Sequence, residues 1–320
     1  MLTVGEIHTG LLQNSTSLTQ PRSAQLLALL EDTRVRCSER PIAHAVSPEI
    51  LTGVDCRLAT SSGAKVRGIG TAVSRAAITG GRVLQGSAYA SIIRSEADRR
   101  LPWSHYLSRP GVVETLGKAD HADLAGGFLT TGPAPDSLDL GAISGRMMDL
   151  VQHRSPELDR RPPFLMARTR MRCVVVVTEA QPAEGRVQFT VEDTTTRTVQ
   201  LTVGQNSLLA AVELCEDLAL HDWLLTALLK PIERSRSERS ARPQVVERLR
   251  PAIDNLLHLW MPAARLEKFM LPLWESLEQR PGFTKQWDVS VGWIRDQVAL
   301  HTIMLLSSLA EDNGEEHDAS

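Results

Sequence analysis

Alternation of apolar and polar residues dominates the first third of the chain. Four segments are short, partly alternating and bounded by Gly, Ser or Pro, as is typical of β-strands: RVRCSER, PIAHAVS, GVDCRLAT and KVRGIGTAVSRAAI. The pair Gly80 and Gly81 lies between two strand-like runs and predicts a two-residue hairpin turn. A helix precedes these strands, because the segment after Pro21 places several leucines on one face. We therefore predict a mostly antiparallel β domain with one early helix over residues 1–115.

The pattern changes twice after that domain. Between residues 116 and 161 the apolar period is lost, and Gly- and Pro-rich loops surround one helical segment, ISGRMMDLVQ. Three strand-like segments follow with short connections, which predicts a β meander: RMRCVVVVTEA, GRVQFTVED and RTVQLTV. Three strands alone are only marginally stable, so the meander needs a structural partner.

Helical periodicity begins near Ser207 and continues to residue 310. Asn206 or Ser207 can cap the first helix, and six later prolines predict short or kinked helices rather than one long coil. The last ten residues, 311–320, hold five acidic residues and no Lys or Arg, which predicts a disordered tail. The predicted class is α+β, with a β-rich part at 1–115, a loop-rich connection at 116–161, a meander and a helical domain at 162–310, and the tail.

Composition narrows the kind of protein. A chain of 320 residues with 42% hydrophobic content can bury a core without disulfides or metals. The net charge of −3 does not favour a dedicated nucleic-acid or membrane-surface binder. The four cysteines lie far apart without ligand spacing, so we expect reduced thiols and no metal site.

Motifs for export or for a cofactor are missing from the sequence. The start, MLTVGEIHTGLLQNST, lacks a basic region and a long apolar core, which argues against a secretion signal. Apolar runs fall far short of the ~20 residues that span a bilayer. GIGTAV lacks the third glycine of a dinucleotide loop, and neither GxxxxGK[ST] nor GxSxG occurs. We predict a cytoplasmic protein without a cofactor.

The helix CEDLALHDWLLTALL, residues 215–229, carries one candidate chemical pair. Asp217 and His221 fall among the leucines at i,i+4 spacing, so their side chains meet. They can be read as a general base with its orienting acid, or as two ligands of a metal. We favour a polar pair that fixes helix packing, because one such pair is far short of a catalytic set. Trp223 falls on the polar side of the wheel, which predicts a contact with another segment or an exposed anchor for a partner.

The irregular segment DRRLPWSHYLSRPG, residues 98–111, is the predicted recognition surface. Trp, Tyr and Arg supply much of the binding energy at interfaces, and an arginine can also clamp a phosphate group. The candidate binding residues are Arg99, Arg100, Trp103, His105, Tyr106 and Arg109. In the alternative interpretation, Trp103 and Tyr106 only pin this loop to the β domain.

Two arginine-rich segments raise the question of nucleic-acid binding. RSRSERSARP, residues 234–243, contains an interleaved glutamate and no aromatic residue, so a solvated linker is the simpler interpretation. The series Arg160, Arg161, Arg168, Arg170 and Arg172 would place at least three arginines on one strand face, as a basic strip. We do not expect nucleic acid as the main partner.

Four phrases resemble a protein family of Streptomyces and related actinobacteria: DRRLPWSHYLSRPGVVE, CEDLALHDWLLTALL, LHLWMPAARLEK and RPGFTKQWD. The similarity extends over nearly the whole chain apart from the acidic tail. It implies a cytoplasmic actinobacterial protein, encoded beside a variant P-loop protein and a predicted methyltransferase. The family has no assigned activity, so no functional residue is carried over.

Together these observations favour a non-catalytic interaction or regulatory protein that acts with a protein partner encoded by a neighbouring gene. The alternative is an enzyme that acts on a phosphorylated or nucleotide-like small molecule. In that hypothesis His221 is the base, Asp217 orients it and Arg109 binds the anion.

Overall fold

One mixed sheet runs through the protein. The computed structural model describes residues 1–31, 33–97, 99–132, 134–154, 158–178, 185–204, 207–237 and 242–318. The ten strands in this part of the chain are β1 (Leu2–Leu11), β2 (Arg36–Ser38), β3 (His44–Val46), β4 (Ile50–Leu58), β5 (Val66–Thr79), β6 (Val83–Arg94), β7 (Val112–Leu116), β8 (Thr169–Thr178), β9 (Arg186–Val191) and β10 (Thr196–Gly204).

Eight α-helices accompany the sheet in the described residues. They are α1 (Gln20–Leu27), α2 (Trp103–Leu107), α3 (His121–Thr130), α4 (Leu140–Arg154), α5 (Leu208–Ser237), α6 (Arg242–Leu256), α7 (Leu271–Gln279) and α8 (Phe283–Asp318). The strands lie mainly in the amino-terminal half and the long helices follow, so the predicted α+β class is confirmed.

Strand β1 joins the two β regions that the sequence pattern separates. It pairs antiparallel with β6 on one side and with β8 on the other. The strand order is β2-β3-β5-β7-β6-β1-β8-β10-β9, with β4 along β5. The predicted boundaries between 115 and 162 therefore cut through a single sheet. The sequence pattern did not reveal β1, because both faces of this strand are covered and polar and apolar residues are buried alike.

The predicted meander is wrong in its order. Strands β8 and β10 are parallel neighbours, and β9 lies outside them, antiparallel to β10. A meander would place β9 in the middle. The marginal stability expected of three strands is avoided because β8 continues the large sheet through β1.

The turn between β5 and β6 lies where the glycine pair predicts it. Gly80 and Gly81 both adopt positive φ, at 59° and 62°, which glycine tolerates best. Thr79 pairs with Val83, so the connection has three residues rather than two.

The segment predicted to be loop-rich contains more structure than its sequence suggests. Besides α4, it holds α3, and β7 lies just before it. Strand β7 inserts between β5 and β6, antiparallel to the first and parallel to the second. Strand β7 has only five residues and α3 contains two glycines, so no apolar period marks either element.

Helices cover both faces of the sheet. Val83 packs in the core beneath α5, and the next residue, Leu84, packs in the core beneath α4, because successive strand residues point to opposite faces. Helices α5 to α8 thus share one face, and α3 and α4 lie on the other.

The helical region is divided into several helices, as the prolines predict, but two of these helices are long. Helix α5 has 30 residues and contains Pro231, and α8 has 36 residues. The acidic segment predicted to be disordered continues α8 as far as Asp318, and residues 319 and 320 lie outside the described part. Among the described residues, no helix combines the length and the apolar character needed to cross a membrane.

Candidate functional site

A cavity of about 200 Å³ lies between the sheet and the first turns of α5. Its wall includes charged or titratable residues from the strands, from α5 and from the loop before α7. Those that matter for its chemistry are Arg36, His44, Arg75, Glu216, Asp217 and Arg265. We call this space the α5 cavity.

The sheet register brings the strand residues of the α5 cavity together. His44 pairs with Thr79 across β3 and β5, and Arg75 lies opposite Ser87 across β5 and β6. These side chains point to the face that α5 covers. On α5 itself, Glu213, Glu216 and Asp217 are three and four residues apart, so they project from one side of the helix.

Arg75 and Glu216 form the main buried ion pair of this site. Arg75 is 1% exposed, and its Nε and Nη2 donate to the two carboxylate oxygens of Glu216 at 2.8 and 2.7 Å. Ser87 donates a further hydrogen bond to Glu216 at 2.6 Å. Burial opposes the charged guanidinium, but the Glu216 carboxylate outweighs burial and raises the pKa of Arg75.

One nitrogen of this pair has no hydrogen-bond partner among the described residues. Nη1 of Arg75 is buried, and Glu49 Oε1 lies 4.0 Å away from it. That separation exceeds a hydrogen-bond length, so the N–H groups of Nη1 are not used in a hydrogen bond to Glu49.

His44 is a neutral histidine at the edge of the α5 cavity. Its Nδ1 lies 3.0 Å from Thr79 Oγ1. Burial, together with the positive charges of Arg265, Arg75 and Arg36, lowers the pKa of His44 to about 3. The imidazole therefore carries no charge at neutral pH.

This depressed pKa predicts a loss of stability in acid. The unfolded chain takes up a proton at His44 near pH 6.5, whereas the folded chain resists protonation down to about pH 3. The contribution of neutral His44 to the free energy of unfolding is thus complete above pH 6.5 and is lost as the pH falls below that value. We expect His44→Gln to remove about 1–2 kcal/mol of the decrease in unfolding free energy between pH 7 and pH 5.

Urea denaturation at both pH values measures this effect. His153→Gln is the matched control, because His153 is exposed and lies far along the chain on α4. Equal pH dependence in wild type and His44→Gln would contradict the assignment.

Asp217 and His221 meet as their spacing predicts, but they face the protein interior. His221 is buried, and its Nδ1 donates to the backbone carbonyl of Asp217 at 2.7 Å. The rings of Trp260 and Trp274 contact the imidazole edge to face, with centroids 5.1 and 5.7 Å away. Burial is the main cause that lowers the pKa of His221.

The Asp217 carboxylate bonds elsewhere. It accepts hydrogen bonds from the backbone N–H of Ala263 at 3.0 Å and from Nη2 of Arg265 at 3.2 Å. Asp217 therefore ties α5 to the loop before α7. His221 lies in an aromatic environment, and the pocket that it lines has a volume of only about 10 Å³. Arg109, the anion clamp of the enzyme hypothesis, bonds Glu114 instead.

The predicted recognition surface is part exposed and part buried. Trp103 is 37% exposed on α2, and the guanidinium of Arg100 lies 5.5 Å over its ring. Arg99 is exposed as well, whereas Asp98 lies outside the described residues. The prediction that Tyr106 belongs to an exposed binding surface is corrected, because Tyr106 is buried. Its hydroxyl accepts a hydrogen bond from Leu101 N–H at 3.0 Å. Tyr106 pins the loop, as the alternative interpretation held.

Glu114 is the residue of this surface that sequence reasoning missed. It is buried on β7, and one of its oxygens lies 2.7 Å from His105 Nε2 and 2.8 Å from Arg109 Nη1. Ser95 donates to its other oxygen at 3.0 Å. His105 and Arg109 are thus held by one carboxylate. The hydrophobic neighbours of Glu114 in VVETL indicate a strand whose glutamate points inward.

Trp223 requires the second correction. It is 0% exposed, and its indole N–H donates to the carbonyl of Ala167 at 3.1 Å. It contacts another segment, so the idea of an exposed anchor is wrong. The physical reason is that α5 has the sheet on one side and other helices around it. The neighbour of Trp223, Asp222, is also buried and accepts a hydrogen bond from Arg197 at 3.0 Å.

The predicted basic strip is largely neutralised within the chain. Arg168 bonds Asp149 at 2.8 Å, and Arg170 and Arg172 lie 3.4 and 3.5 Å from the buried Glu6 carboxylate. The arginine and serine residues of segment 234–243 lie outside the side chains that the structure describes. Within the described residues, no group of three His, Cys, Asp or Glu side chains is placed to hold a metal ion.

The fold and the α5 cavity define an α+β protein with a partly enclosed, arginine-containing site. No family model, curated protein or solved structure matches the chain.

Proposed function

We propose that this protein is a non-catalytic interaction or regulatory protein that binds an amphipathic helix of a different protein along α8. The observation that carries the proposal is the apolar exposure of this helix. Val289 is 67% exposed, Leu300 40% and Ile303 59%. Large exposed apolar patches on folded proteins mark interaction sites more often than isolated apolar residues do.

The spacing of these residues suits a helical partner. Val289, Leu300 and Ile303 follow the three- and four-residue steps of a helix–helix seam, with Asp296 and Ser307 at two other steps. Trp293 lies at the margin of this seam, because it also packs against the main core. We call Val289, Leu300 and Ile303 the α8 outer face. The inner face of α8 is occupied, because Trp287 and Ile294 are buried in the main core. A partner helix can place its own apolar residues against the outer face.

Charge favours a different protein over a second copy. Helix α8 ends at Asp318, and the last ten residues of the chain, 311–320, hold five acidic residues and no Lys or Arg. A parallel copy would bring two acidic ends together, and like charges repel. An antiparallel copy centred on Leu300 would bring the acidic end near Lys285 and Asp288, whose charges cancel. A partner helix with basic residues at the matching end fits better.

The family resemblance suggests which partners to test first. It places a variant P-loop protein and a predicted methyltransferase beside such proteins, and we propose one of them as the owner of the helix. We also propose that the interaction takes place in the cytoplasm. The enzyme hypothesis has less support, because His221 is buried beneath two tryptophans.

Affinity capture with the full-length protein from the cytoplasmic fraction of a native host tests the proposal. Wild type should recover a partner in stoichiometric amount, and cross-links from that partner should fall on α8. Ile303→Glu should reduce recovery at least about tenfold, because a charge at a central interface position costs about 2 kcal/mol or more.

Thr302→Glu is the matched control. Thr302 is exposed and lies next to Ile303, but it points away from the outer face, so this variant should retain the partner. Circular dichroism checks that both variants keep their helix content. Recovery of the chain alone, a homodimer in light scattering, or equal loss in both variants would overturn the proposal.

A further inference from the structure

We infer that the α5 cavity is a binding site for a small phosphorylated molecule, held by Arg36, Arg75 and Arg265. This site is independent of the α8 outer face, so the two proposals can fail separately. A cavity of about 200 Å³ suits a compact ligand.

The three arginines reach the cavity from three different elements. Arg36 lies on β2, Arg75 on β5 and Arg265 in the loop before α7. A phosphate group presents three oxygens in different directions, whereas a carboxylate presents two in one plane. Donors that arrive from three elements therefore match a phosphate group better than a carboxylate.

Two of the three acidic residues of the wall, Glu216 and Asp217, are hydrogen-bonded within the protein, and the third, Glu213, lies 4.0 Å from Arg36. Glu216 accepts from Arg75 and Ser87, and Asp217 accepts from Ala263 and Arg265. Their lone pairs are directed at these donors. Their negative charges are thus compensated locally, and they do not need a cation from outside.

Arg75 and Arg36 have N–H groups that take no part in these hydrogen bonds. Nη1 of Arg75 is buried without a hydrogen-bond partner among the described residues, in a side chain that lines the cavity. Leaving a charged donor unpaired in the interior is costly. Nη1 is closed to solvent, so a bound anion reaches it only if the Arg75 side chain turns toward the cavity. Arg36 lies at the exposed rim, and Nη1 of Arg36 is 4.0 Å from Glu213, which is too far for a hydrogen bond.

The electrostatic surroundings of His44 agree with this assignment. Its imidazole feels the positive charge of the same three arginines, and that charge helps to keep the ring neutral. Because the imidazole is neutral, the positive charge that would bind an anion comes from the arginines. The field at this wall of the cavity is therefore positive, although the wall as a whole has acidic residues too.

Binding of inorganic phosphate to the full-length protein tests the inference by two readouts. Isothermal titration at constant ionic strength gives the affinity, with acetate as the carboxylate probe. Alkylation of Cys37 by iodoacetamide gives an independent readout, because Cys37 is exposed and lines the cavity. We expect phosphate to bind and to slow the labelling of Cys37 at least threefold, while acetate does neither.

Two variants test whether phosphate binds in the α5 cavity. Arg36→Gln should weaken phosphate binding at least about tenfold, and it should preserve folding because Arg36 is exposed. Arg295→Gln is the matched control, since Arg295 is an exposed arginine on α8 that lies outside this cavity. No phosphate binding by wild type, equal binding of acetate, or equal weakening in both variants would overturn the inference.

Discussion

Glu216→Ala is expected to lower the free energy of unfolding by about 3–5 kcal/mol, because it leaves the charge of Arg75 buried without its partner. Arg75 is almost completely shielded from water, and both Nε and Nη2 lose their acceptor in this variant. The hydroxyl of Ser87 loses its acceptor as well. Urea denaturation at pH 7, followed by circular dichroism, measures the change.

Two control variants separate the buried charge from other effects. Glu213→Ala removes a partly exposed carboxylate from the preceding turn of α5 and should cost less than about 1 kcal/mol, as surface ion pairs usually do. Combining Arg75→Met with Glu216→Leu removes both charges and should leave a more stable protein than Glu216→Ala alone. If Glu213→Ala and Glu216→Ala cost the same, the ion pair is not buried in solution.

Trp223→Ala is expected to cost about 3–5 kcal/mol, the usual range for removing a large aromatic side chain from a core. Trp223 is fully buried and belongs to the main hydrophobic cluster between the sheet and the helices. The substitution opens a cavity and also removes the hydrogen bond to Ala167. Urea denaturation measures the loss.

Trp223→Phe is the conservative comparison. It keeps most of the apolar contact but loses the indole N–H, so it should cost clearly less than the alanine variant. A surface tryptophan would behave differently, because substitutions at exposed positions usually change stability by less than about 0.5 kcal/mol. A loss of less than about 0.5 kcal/mol for Trp223→Ala would mean that Trp223 is exposed in solution.

Local signals in the sequence predicted local structure well. The glycine pair at 80 and 81 marks the β5–β6 turn, because few other residues tolerate two successive positive φ values. The i,i+4 spacing of Asp217 and His221 brings these residues together on one helix. Buried leucines on α5, such as Leu214 and Leu218, follow from the helical period.

The pattern of apolar and polar residues did not show features that depend on contacts with distant segments. Strand β1 has polar residues on both faces, and only the strands and helices around it explain why Glu6 and Thr9 are buried. Trp223 looks polar-facing on a wheel because the wheel does not include the segment that contains Ala167. Glu114 could be recognised as a site residue only once β7 was placed beside α2.

The sequence by itself determined the strands β2 to β6, the helices near the end and the residues that meet within one helix, because these depend on contacts a few residues apart. Tertiary structure alone decided that the two β regions form one sheet and that Arg75 meets Glu216 across 141 residues. It also decided that arginines from β2, β5 and a distant loop line one cavity. Such pairings depend on long-range packing and charge compensation, which no local period encodes.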